Sequence, residues 1–111
     1  MKRLRAIVIG TGFIGPVHVE GLRRAGVEVA GIVGSTPEKS RAAAQPLGLP
    51  SGITTFEDAL QSESVDAIHL TTPNVLHYDQ TKAVLAAGKH CLCEKPLAMN
   101  VAQSAELVKL A

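Results

Sequence analysis

Gly10-Thr11-Gly12-Phe13-Ile14-Gly15 follows directly on the apolar run Leu4-Arg5-Ala6-Ile7-Val8-Ile9. A buried strand, a glycine turn and an opening helix together make a device for holding phosphate. The first glycine allows the tight turn, the second lets the backbone approach a diphosphate, and the third lets helix and strand pack closely. The first helical amides lack partners inside the helix and sit at its positive end, where an anion is stabilised. Val17, Leu22 and Ala25 continue at helical spacing, which gives the glycines the structural setting that the motif needs.

The chain has 111 residues, so we expect a single domain over 1–111. It is 46% hydrophobic and 19% charged with a net charge of +1, a balance that points away from nucleic-acid and anionic-membrane partners. No apolar run reaches the length of about 18 residues that a transmembrane helix needs. Met1-Lys2-Arg3 is basic, but Gly10, Gly12 and Gly15 interrupt the apolar stretch behind it, so a signal peptide is not expected and the cytoplasm is. Cys91 and Cys93 are expected as reduced, core-facing thiols. Their C-x-C spacing is read as placing them on opposite strand faces, a poor geometry for a disulfide, and no second Cys/His cluster suggests a metal site.

Strand and helix signals alternate along the chain. Strands are expected at 4–9, 27–33, 53–54, 65–71 and 89–93. Helices are expected at 13–25, from Pro37 onward, from Thr55 through Leu60, at 75–87 and at 101–110. Thr36-Pro37-Glu38 combines an N-cap, a proline at the first helical position and an acid in the first turn. Gly26 and Gly88 mark helix ends. This order predicts an α/β fold, a doubly wound parallel sheet of Rossmann type with about five strands.

Ligands of such sheets sit beyond the carboxyl ends of the strands, where the strand order reverses. Four segments therefore converge: the glycine loop; Gly34, Ser35 and Thr36; Thr71, Thr72, Pro73 and Asn74; and Glu94, Lys95 and Pro96. A carboxylate that would bond the ribose of NAD is missing at Gly34, whereas Ser35, Thr36, Lys39 and Arg41 suit a 2′-phosphate, so NADP is favoured over NAD. Lys95 lies where a lysine could exchange a proton as hydride moves at a nicotinamide. His69 and His90 are expected as packing residues; His18 and His77 could face the crevice or serve the structure.

The runs Ala-Ile-Val-Ile-Gly-Thr-Gly-Phe-Ile-Gly, Thr-Thr-Pro-Asn-Val-Leu-His and Ala-Gly-Lys-His-Cys-Leu-Cys-Glu-Lys-Pro-Leu-Ala resemble the Gfo/Idh/MocA oxidoreductases over essentially the whole chain. The resemblance implies hydride transfer between NAD or NADP and a sugar, polyol or related carbonyl compound. It implies cofactor contacts from Gly10, Thr11, Gly12, Phe13, Ile14 and Gly15, and a cofactor-side wall of Thr72, Pro73, Asn74 and His77. It places Glu94 and Lys95 at the nicotinamide, with Lys95 as the catalytic residue, and no metal. It also implies a second, substrate-binding domain and a homo-oligomer at full length. That domain is absent here, so the chain is expected to be an incomplete cofactor-binding portion, inactive alone. Two alternatives stay open: a cofactor-sensing module without chemistry, and an inert fragment associating through an unpaired sheet edge.

Overall fold

The structure is a computed structural model that describes residues 3–93 and 101–111. Four strands, β1 (Arg5–Ile9), β2 (Glu28–Val33), β3 (Ala67–Leu70) and β4 (His90–Cys93), form one parallel sheet in the order β2-β1-β3-β4. The helices are α1 (Ile14–Arg24), α2 (Pro37–Leu47), α3 (Phe56–Gln61), α4 (His77–Ala86) and α5 (Val101–Leu110), with a 3-10 turn at Asn74–Leu76 before α4. The α/β doubly wound class is as the sequence predicts. The strand order reverses at β1, so the crevice expected for a ligand opens beyond the ends of β1 and β3.

Both sheet faces are covered, which is why the strands read as continuous apolar runs rather than alternating ones. Val8 and Ala6 of β1 pack with Val19 and Leu22 of α1 and Ala44 of α2 on one face. Ile7 and Ile9 pack with Ala59 of α3, Val84 of α4 and Leu70 on the other. Full burial of each such aliphatic side chain stabilises the fold by about 1.5–3 kcal/mol. The β1–β2 register slips between Ala6 and Ile7, and Ala30 is the extra residue, which keeps Val29 and Ile32 on the α1 side.

Three local expectations need correction. The segment 53–54 is not a strand, so four strands stand among the described residues where about five were expected. The Thr54 carbonyl accepts from the Ser40 hydroxyl instead of a neighbouring strand, and Thr55 already caps α3 through the Asp58 amide. Cys91 and Cys93 do not face opposite ways. Residues two apart on a strand share a face, and both pack against the cluster around Ile68 and Val84 as free thiols. Burial pushes the Cys91 thiol up to about 11. Lastly, Lys89 is a structural cation rather than the first residue of β4: its Nζ donates to the Ser62 and Val65 carbonyls at 2.6 and 2.7 Å, tying the end of α3 beneath the sheet.

Candidate cofactor site

The β1–α1 turn follows from glycine chemistry. Gly10 has φ +119°, a region closed to side chains, and a Cβ there would lie 2.4 Å from Thr71 Oγ1. A Cβ on Gly15 would lie 2.3 Å from the Gly10 carbonyl oxygen, so the third glycine sets how closely α1 packs on the turn. Gly12 is different: a Cβ there would meet nothing within 4 Å. Its missing side chain leaves open space above the start of α1. That helix has no side-chain cap and no acid in its first turn. The Gly15 amide donates to the Gly12 carbonyl and Pro16 has no N–H, so it is the positive helix end, with the amides ahead of Gly15, that faces an anion.

The turn forms one wall of a cleft of about 750 Å³. Gly10, Thr11 and Gly12 line it, together with Gly34, Ser35, Thr36 and Lys39 from the end of β2 and the start of α2. Thr36 caps α2 by accepting from the Lys39 amide at 3.1 Å, with Pro37 at the first helical position. Opposite stand Thr71, Thr72 and Pro73, which leave β3. The Thr71 hydroxyl donates to the Ile9 carbonyl at 3.0 Å, and the Thr71 amide donates to the same oxygen at 2.8 Å, so this wall is stitched to the glycine turn.

Gly34 is held by crowding rather than by an unusual backbone. A Cβ at this position would approach Lys39 Cβ to 3.0 Å and Thr11 Cγ2 to 3.1 Å. The place where an NAD site usually carries a carboxylate is closed to one here unless its neighbours move.

Not every residue expected at the site reaches the cleft. Gly15 packs beneath it. Phe13 is 88% exposed and Ile14 is partly exposed, and neither side chain lines the cavity. His77 is fully buried, and its Nε2–H donates to the Thr72 carbonyl at 2.7 Å, so it supports the wall from behind. Asn74 belongs to the 3-10 turn beside Pro73. Glu94 and Lys95 lie outside the described residues.

Four features were not read from the sequence. Thr54, Thr55, Phe56 and Glu57 close the cleft beside α2, because the loop before α3 folds over the end of β2. Leu76 and Gln80 line the far side, and Thr72 donates to the Gln80 side chain. Ser40 is fully buried and joins three segments: it accepts from the Gly34 amide at 2.8 Å, with the Thr54 and Thr36 carbonyls at 2.9 and 3.1 Å from its hydroxyl. Its hint in the sequence was a serine inside a helix, a position that such residues fill well only with a specific partner. Behind the glycine turn, His18 of α1 and His69 of β3 meet with Nδ1 atoms 3.0 Å apart and rings nearly perpendicular. Burial, and next the neighbouring His18, hold the His69 imidazole below its usual value.

An uncapped helix start, an open glycine position and a cleft at the reversal of strand order define a dinucleotide-binding domain of Rossmann type. The sequence profile of the Gfo/Idh/MocA oxidoreductases, a family with an NAD-binding Rossmann fold, matches residues 4–111, and the chain belongs to that family. It is 38% identical to the 1,5-anhydro-D-fructose reductase of Ensifer adhaerens over 102 residues, 91% of this chain and 31% of that protein. The crystal structure of an NAD binding oxidoreductase from Klebsiella pneumoniae superposes with a TM-score of 0.93 at 32% identity, covering 99% of this chain and 32% of that one. A 3-ketoreductase from Actinomadura kijaniata in complex with NADP gives a TM-score of 0.89 at 28% identity, covering 99% of this chain and 36% of that one. The chain thus spans about a third of the length of the relatives it matches. Among the described residues no helix is long and apolar enough to cross a membrane, and no group of three or more His, Cys, Asp or Glu could hold a metal.

Proposed function

We propose that this chain is the cofactor-binding portion of an oxidoreductase that moves hydride between a nicotinamide dinucleotide and a sugar, polyol or related carbonyl compound. The observation that carries this reading is the open Gly12 position over the uncapped start of α1, facing the cleft. Relatives that include a 1,5-anhydro-D-fructose reductase and an inositol 2-dehydrogenase support the substrate class.

In this reading the turn residues Gly10, Thr11 and Gly12, with the Phe13 and Ile14 amides, hold the diphosphate. Gly15 sets the spacing behind them. Ser35, Thr36 and Lys39 receive the adenosine ribose, and with no carboxylate at Gly34 they favour the 2′-phosphate of NADP. Thr71, Thr72 and Pro73, with Asn74 beside them and His77 beneath, form the opposite wall. The bound nicotinamide supplies the carbon that gives or takes hydride. Lys95, next to Glu94, holds or moves the proton on the substrate oxygen. The substrate wall is supplied from outside this chain, which alone does not turn over substrate, and the full-length enzyme works in the cytoplasm as a homo-oligomer.

Titration of NADPH and NADH against the purified protein, followed by cofactor fluorescence, tests the reading. Saturable binding of either is expected. A flat response to both would remove the assignment and leave an inert fold.

A further inference from the structure

The cleft contains two charged residues among its described lining, one of each sign. Lys39 stands in the first turn of α2, and Glu57 in the first turn of α3. Both are exposed, and both line the same cleft as Gly34. Their backbones are tied together by Ser40, which follows Lys39 directly and bonds the Gly34 amide and the Thr54 carbonyl of the loop leading into α3. Position 34 carries no carboxylate, and a side chain there would require Thr11 or Lys39 to give way by a few tenths of an ångström. Discrimination at this end of the cleft therefore passes to the two charges.

We infer that Glu57 is a specificity-determining residue, which opposes Lys39 in setting the preference between NADP and NAD. This rests on the reading of the cleft as a dinucleotide site. Lys39 attracts a 2′-phosphate. The Glu57 carboxylate repels that phosphate and so favours a cofactor whose ribose carries none. The chain gains through α3 the acid that the end of β2 lacks. Its cofactor preference is then a balance of two long-range charges rather than of one short contact, and it weakens as salt screens them.

The experiment measures dissociation constants for NADPH and NADH with the unaltered protein, Glu57→Gln and Lys39→Met, at low salt and at high salt. Glu57→Gln is expected to raise the NADPH-to-NADH affinity ratio by about fivefold to tenfold, as for a unit charge facing a doubly charged phosphate across several ångströms of wet cleft. Lys39→Met is expected to lower the ratio by a similar factor, and both effects shrink at high salt. A ratio unchanged by Glu57→Gln, or equal weakening of both cofactors, overturns the inference while leaving the dinucleotide reading intact. Failure of the unaltered protein to bind either cofactor overturns that reading itself, and this inference with it.

Discussion

The Gly34 amide donates to Ser40 Oγ at 2.8 Å, and this one hydroxyl joins the end of β2, the first turn of α2 and the loop before α3. Three segments that line the cleft thus meet at one fully buried side chain.

Ser40→Ala leaves the Gly34 amide and the Thr54 carbonyl without this partner. A loss of about 1–3 kcal/mol in urea denaturation is expected, because an unsatisfied buried polar group bears its full desolvation cost. Wild-type stability in that variant would show that water replaces the serine.

Gly10 and Gly12 should separate stability from binding. Gly10→Ala forces a side chain into a left-handed backbone and onto Thr71, which should cost more than about 2 kcal/mol. Gly12→Ala places a methyl in open space, so stability should change by less than about 0.5 kcal/mol. The same methyl occupies the diphosphate's approach, and NADH and NADPH should each bind at least about tenfold more weakly. Equal effects of the two variants on melting temperature would contradict this division.

Burial of His69 beside His18 should make stability depend on pH. The folded-state value of His69 is lowered, so the unfolded chain binds a proton more readily than the folded one. Stability contributed by neutral His69 is present above the ordinary imidazole value of about 6.5 and is lost as pH falls through the lowered one. Denaturation midpoints should fall between pH 7.5 and pH 5, and His69→Gln should flatten that slope. An unchanged slope in the variant would assign the acid sensitivity to other groups.

Lys95→Ala in the full-length enzyme, assayed on a carbonyl substrate found by screening NADPH oxidation, should lower kcat by about a hundredfold or more. Cofactor affinity should change by less than about threefold, since this residue is proposed to act on the substrate's proton. Normal turnover would exclude it as the proton carrier.

What could be read from the sequence was local. The cap at Thr36 is a contact across three residues, and the glycine turn is a demand of the backbone itself, so residue type alone reveals both. His77 shows the limit: its position after Pro73 was legible, but its burial against the Thr72 carbonyl depends on how α4 seats on the sheet. Ser40 and Glu57 take their meaning from segments brought together only by the fold, and neither belongs to a recognisable motif. The 53–54 stretch was β-like in composition, yet a hydrogen bond from fourteen residues away claimed its carbonyl first.

Crowding around Gly34 also constrains how such a chain can change over generations. A mutation to aspartate there would add the carboxylate that an NAD site usually carries, but it arrives with Thr11 and Lys39 in the way. It would require one of them to give way by a few tenths of an ångström or to shrink. Drift in coenzyme use should therefore begin at the rim of the pocket, with the strand end following later.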